Sequence, residues 1–175
     1  MNSLEIYRET LLAHNEQPHN FHALPHPTHQ SDGHNPLCGD EITVYLRIEN
    51  DRIKEISFTG QGCAICKASA SLMTLRLEDQ TTADAEKDAQ KILKWLKDAT
   101  AEQPENLGEL EALLGVRKFP MRVKCATLAW HAFLKALNQP AGSDAGKESS
   151  ASCGCCSNGS TSDGKYPNGG CGCGA

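Results

Sequence analysis

The sequence predicts an α+β domain followed by a tail, and three observations carry that prediction. A strictly alternating segment doubles back through a two-residue turn, helical periodicity recurs in segments on both sides of it, and the composition changes abruptly after Gln139. The 175 residues, 39% of them apolar, are enough for one modest core. The expected organisation is a folded unit over 1–139 and a flexible Cys-rich tail over 140–175.

Residues 3 to 14 set Leu4, Tyr7, Leu11 and Leu12 on one helical face, and that helix ends before Pro18. From His14 to Pro36 the chain holds six of its seven histidines and four prolines with no surviving period, which reads as a loop or extended arm. Ile42, Val44, Leu46 and Ile48 then alternate with Thr43, Tyr45, Arg47 and Glu49, the pattern of a half-buried strand. Asn50 and Asp51 form a turn, and Ile53, Ile56 and Phe58 lead a second strand into Gly60, completing a hairpin.

Ile65, Ala68, Ser69, Leu72, Met73 and Leu77 recur at helical spacing, which puts Cys63 at the mouth of a helix. A further helix spans about 82 to 98, with Ala85, Ala89, Ile92, Trp95 and Leu96 on one side and Thr81 with Asp84 as a capping box. Trp95 is assigned to the core. Pro104 and Gly108 bracket a connector, LEALL is a short apolar piece, and Pro120 precedes a last helix. Its inner face is Ala126, Trp130, Phe133, Leu134 and Leu137, with Cys125 in its first turns. Beyond Gln139, Gly, Ser, Ala, Asp and Asn predominate, a composition that buries too little apolar surface to order itself and predicts a disordered Cys/Gly/Ser-rich tail.

A formal net charge of −5 leaves no broad basic field, so a nucleic-acid partner has no electrostatic support. The opening MNSLEIYRETLLAH carries charges throughout and no apolar signal core, and no run approaches the roughly 18 apolar residues of a membrane span. The expectation is a soluble cytoplasmic protein with no membrane partner.

Nine cysteines, an odd number without an export signal, favour metal or sulfur chemistry over a disulfide framework. Cys38, Cys63, Cys66 and Cys125 lie in patterned sequence, and Cys153, Cys155, Cys156, Cys171 and Cys173 lie in the tail. Cys38 precedes a strand, Cys63 opens a helix, and Cys125 begins another, places where distant segments converge. In CGD, Gly39 permits a tight turn that lets Cys38 and Asp40 address one centre. Three sulfurs and one oxygen suit a tetrahedral Zn²⁺, and thiolates equally suit iron–sulfur clusters. Arg122 and Lys124, just before Cys125, would offset the negative charge of such a centre. The alternative is three buried structural thiols with Asp40 as an ordinary turn residue.

Cys66, one helical turn after Cys63, is either a small packed thiol or, as half of a dithiol at a helix N-terminus, an auxiliary sulfur acceptor. The histidines between 14 and 34 read as a solvated loop or a metal site, with His34 four residues before Cys38, and His131 reads as a partly buried packing residue. The tail motifs SCGCC and GCGCG would scavenge zinc, copper or iron, carry sulfur to and from the core site, or be incidental.

The stretches NPLCGDEITVYLRIENDRIKEISFTGQGCAICKASASLMT and FPMRVKCATLAWHAFLKAL, with LEIYRETLLAHNEQPHNF before them, resemble the SufU branch of the IscU/NifU-type iron–sulfur assembly proteins over about residues 4 to 138. Lys124 stands where IscU-type members carry a His before the third cysteine, and the Cys63–Cys125 interval is long, both as in SufU. The resemblance implies a small antiparallel sheet with helices packed on it. It also implies Zn²⁺ held by Cys38, Asp40, Cys63 and Cys125, with Arg122 supporting the site from outside the ligand set. Cys38 would accept persulfide sulfur from a SufS-type cysteine desulfurase and pass it to downstream iron–sulfur assembly machinery. Family members commonly carry a small residue at the position of Cys66, and the resemblance does not reach the tail.

Three functions therefore compete. The first is a zinc-dependent sulfur acceptor, sulfurtransferase-like and without independent turnover. The second is a scaffold holding a nascent iron–sulfur cluster on the same ligands, and the third is a metal-handling protein dominated by the tail.

Overall fold

The computed structural model describes residues 3–140. The side chain of Leu4 and the tail, including Cys153, Cys155, Cys156, Cys171 and Cys173, lie outside the described residues. Helix α1 (Ser3–Glu16) leads into strands β1 (His29–Asn35), β2 (Asp40–Glu49) and β3 (Arg52–Gln61). Helices α2 (Ala64–Leu77) and α3 (Thr82–Lys97), a 3-10 helix (Gly108–Lys118) and helix α4 (Pro120–Leu137) follow. The strands form one antiparallel sheet in the order β1-β2-β3.

The β2–β3 hairpin follows directly from its alternation. Val44 faces Phe58 and Leu46 faces Ile56 in the ladder, and all four side chains are buried. Asn50 and Asp51 both take positive φ, 51° and 58°, the backbone of a type I′ turn whose twist matches the strands it joins. The register of the ladder shifts between Arg47 and Ile48.

Strand β1 corrects the expectation of a loop or arm reaching Pro36. HQSDGHN has no apolar alternation, yet it pairs antiparallel with β2 from His29↔Leu46 to Asn35↔Asp40. It is an edge strand whose identity comes from the backbone groups that β2 offers, and such groups leave no mark on side-chain patterning. Helix α1 brings a second correction. Leu12 is 44% exposed, while Leu11 is half-buried and His14 is buried. Adjacent residues on a helix point about 100° apart, so Leu11 and Leu12 do not share the inward stripe, whereas His14 lies one turn beyond Leu11.

The helices close over one face of the sheet. Trp95, Trp130, Phe58 and Phe133 are fully buried in a shared core with Leu77, Ile92, Leu96 and Leu113. Trp95 is a core residue, as expected, with the Arg117 guanidinium 5.1 Å from its ring centroid. Burying an aromatic of this size is worth about 3–5 kcal/mol against alanine. On α4, Ala126, Trp130 and Phe133 are buried as expected, while Leu134 and Leu137 sit half-buried at the margin. Thr81 caps α3 by accepting from the Asp84 amide at 3.2 Å, and its hydroxyl donates to the Asp84 carboxylate at 2.8 Å. LEALL lies within the 3-10 helix, with Leu110 and Leu113 buried.

Two polar locks tie helices together. Ser69 on α2 donates its hydroxyl to the Ala126 carbonyl at 2.6 Å and accepts from the Trp130 indole N–H at 3.1 Å, fixing α2 against α4 beside Cys125. His14 has one ring nitrogen 2.8 Å from the Ser71 hydroxyl and the other 3.1 Å from a Glu109 carboxylate oxygen. It joins α1, α2 and the 3-10 helix, so this histidine belongs to the packed interior and corrects its assignment to a solvated loop.

Candidate metal centre

The β1–β2 connection, Pro36-Leu37-Cys38-Gly39, is held closed by backbone N–H groups of Cys38 and Gly39 donating to the Asn35 carbonyl at 3.3 and 2.9 Å. Gly39 has φ +68°, a conformation that a side chain would strain, so the tight turn expected from CGD is present. The loop leaves Cys38 exposed at its tip and Asp40, the first residue of β2, 1% exposed beneath it.

Asp40 organises the floor of the site. Its Oδ1 accepts the backbone N–H of Cys63 at 2.9 Å, and the Cys63 thiol lies 3.7 Å from Oδ2. Cys63 is the N-cap of α2 with extended backbone (φ −68°, ψ 161°), so this carboxylate sits at the positive end of the helix. The approach is possible because residue 62 is glycine: a Cβ there would fall 2.9 Å from Asp40 Oδ1.

Cys125, in the second turn of α4, completes the cluster. Its sulfur is 3.3 Å from that of Cys38. One donor atom each from Cys38, Asp40 and Cys125 lies within 4.8 Å of the others. Cys63, the fourth expected ligand, lies outside that set and touches it at Asp40, its thiol 3.7 Å from Oδ2. Asp40 is buried, and among the described residues it has no salt bridge. A buried carboxylate without a cationic partner is costly, and a divalent ion among the three thiols would supply that partner. Two sulfurs and one oxygen converge, with the Cys63 sulfur against the same carboxylate, and donors of these types suit zinc.

Burial, reinforced by hydrogen bonds with Asp40 and Cys38, pushes the Cys125 thiol well above the usual range. Cys66 is 2% exposed, and burial, with the negative charges of Asp40, Cys63 and Cys38 acting in the same direction, lifts its thiol to about 12. Lys67 opposes that rise without overcoming it. Cys66 is placed as a buried thiol on α2, whereas a reactive dithiol at a helix N-terminus calls for a lowered value.

Arg122 and Lys124 are exposed in the first turns of α4, and among the described residues neither side chain is hydrogen-bonded or ion-paired to the cluster. His34 is exposed with its Nε2 3.9 Å from Glu41, outside the donor set. His131, expected to be partly buried packing, is largely exposed and hydrogen-bonded to Lys97 at 2.9 Å, and partial desolvation of its ring, with the nearby ammonium, lowers its pKa. Two residues were missed by sequence reasoning, Gly62 and Asn35. The second carried a signal, since Asn before a tight turn commonly closes it through its own side chain.

Comparison with known proteins bears on this arrangement. The family model described as the NifU-like N-terminal domain matches residues 6–126. The chain is 34% identical over 137 residues to the zinc-dependent sulfurtransferase SufU of Bacillus subtilis, covering 78% of this chain and 92% of that one. It is 34% identical over 136 residues to the iron–sulfur cluster assembly scaffold protein IscU of Streptococcus pyogenes, covering 78% and 85%. A solved structure of a candidate iron–sulfur cluster assembly scaffold protein for the SUF system, from Fervidobacterium islandicum, superposes with a TM-score of 0.70 at 30% identity, covering 78% of this chain and 99% of that one.

Proposed function

Since the chain belongs to the family of NifU-like N-terminal domains, we propose that it serves iron–sulfur cluster assembly as a zinc-dependent sulfur acceptor, with Cys38 as the accepting thiol. The observation that carries this reading is the convergence of Cys38, Asp40 and Cys125, with Cys63 against the same buried carboxylate, which has no ion-pair partner among the described residues. Cys38, Asp40, Cys63 and Cys125 would hold zinc, which when bound keeps thiolates ionised and ties the β1–β2 loop, α2 and α4 together.

Exposure supports Cys38 as the acceptor among these thiols. Cys125 is fully buried and Cys63 is half-buried at the helix mouth, whereas Cys38 stands exposed on a loop tip. Its thiolate attacks the outer sulfur of a persulfide on a partner protein. A new S–S bond forms at Cys38, the partner's S–S bond breaks, and the partner cysteine leaves as a thiolate. Sulfur moves without net oxidation.

The partner in this proposal is a cysteine desulfurase of the SufS type, met in the cytoplasm. Leu37, next to Cys38 in the chain, and Phe119 and Met121, at the start of the helix that carries Cys125, are exposed apolar side chains of the kind that protein contacts cover. No helix among the described residues is long and apolar enough to cross a membrane.

Metal analysis of anaerobically purified protein, combined with a desulfurase assay, tests the proposal. One tightly bound zinc per chain and loss of desulfurase stimulation in Cys38→Ala are expected. A stable iron–sulfur cluster that wild-type protein passes to an apo-protein, with no zinc, would make the chain a scaffold instead.

A further inference from the structure

Asn35, the last residue of β1, is only 7% exposed and meets the thiol cluster from two sides. Its carbonyl accepts from the amides of Cys38 and Gly39. Its side-chain Oδ1 accepts from the Leu37 amide at 3.2 Å, closing an Asx turn under the Cys38 loop. That bond fixes which way the amide points, because an N–H donor is met only by the oxygen and the NH2 must face the other way. There Nδ2 lies 3.9 Å from the Cys125 sulfur, on another element. One buried residue thus anchors the loop that exposes one thiol and offers a proton donor to the other.

We propose that Asn35 is a positioning residue of the thiol centre, donating an N–H to the Cys125 sulfur so that Cys125 stays a fixed ligand while Cys38 alone takes up sulfur. This rests on the reading of the cluster as a zinc-dependent sulfur acceptor. A hydrogen bond to a thiolate occupies a lone pair, stabilises the charge and lowers nucleophilicity. Among the described residues no N–H or O–H group donates to the Cys38 sulfur, whose contact is with the Cys125 thiol. The asymmetry separates a held thiol from a working one. Partners of this kind around metal ligands commonly change metal affinity by roughly 10–100-fold.

Two variants separate this role from turn formation. Asn35→Asp keeps an oxygen for the Leu37 amide and removes the donor. Asn35→Ser offers a hydroxyl oxygen to the same amide in a shorter turn, adds no charge, and is too short to reach Cys125. Zinc affinity is measured by competition with a chromophoric chelator, and the thiolate-to-metal charge-transfer band is recorded after replacing zinc with Co²⁺. Both variants are expected to bind zinc about tenfold or more weakly, with the band moved to longer wavelength and the melting temperature of the zinc-free protein unchanged. Wild-type affinity and band position in both variants would overturn the proposal, as would weakened binding matched by a lowered zinc-free melting temperature. Wild-type protein that takes up no zinc would overturn the underlying reading, and this one with it.

Discussion

Asp40 and Cys63 meet in two ways: the Asp40 carboxylate accepts the Cys63 amide through one oxygen at 2.9 Å and faces the Cys63 thiol with the other at 3.7 Å. The first contact leaves one oxygen for a metal ion. It also makes the carboxylate part of the fold, because it pairs an N–H at the start of α2 that the helix itself leaves unpaired.

Gly62→Ala tests that dual role without removing a ligand. The added Cβ would lie 2.9 Å from Oδ1 and 3.2 Å from the Asp40 Cβ and Cγ, so the carboxylate must shift. The expected cost is about 1–3 kcal/mol of stability, read by thermal melting of zinc-free protein, together with weaker zinc binding in a chelator titration. Wild-type zinc binding in this variant would mean that Asp40 is not held where it is needed.

Cys66→Ala is expected to leave sulfur uptake intact. The Cys66 thiol is 2% exposed and lifted to about 12 from 9.0, so it stays protonated at neutral pH and resists alkylation. A folded-state pKa raised in this way stabilises the protein fully below about pH 9, and the contribution is lost as pH rises toward 12. Alkaline unfolding followed by circular dichroism should therefore be less steep in Cys66→Ala over that window. Equal slopes would show that another group drives it.

Ser69→Ala removes the lock beside Cys125. It leaves the buried indole N–H of Trp130 and the carbonyl of Ala126 without their partner, at an expected cost of roughly 1–3 kcal/mol in urea unfolding. A change below about 0.5 kcal/mol, the range of neutral surface substitutions, would count against this accounting.

These variants also mark what sequence alone makes legible. The β2–β3 hairpin is readable because Ile42, Val44 and Leu46 bury one face and alternate with their neighbours. The same logic does not reach β1, where only Ser31 and Asn35 are buried, neither of them apolar. His14 was unreadable for a similar reason, since its partners Ser71 and Glu109 lie 57 and 95 residues away. The thiol cluster stood between these cases. Placement at element ends suggested convergence, but sulfurs 87 residues apart carry no local signature, and family resemblance rather than spacing named the ligand set. Asn35 was passed over because its polar contacts run to a loop and to a sulfur, neither of which a periodicity argument registers.

The most direct test follows sulfur itself. The zinc-loaded protein is mixed with a cysteine desulfurase and cysteine, trapped with an alkylating agent, digested and mapped by mass spectrometry. The account predicts one added sulfur on the peptide carrying Cys38, and none on those carrying Cys66 or Cys125. Persulfide found on Cys66 or in the tail, and never on Cys38, would contradict it.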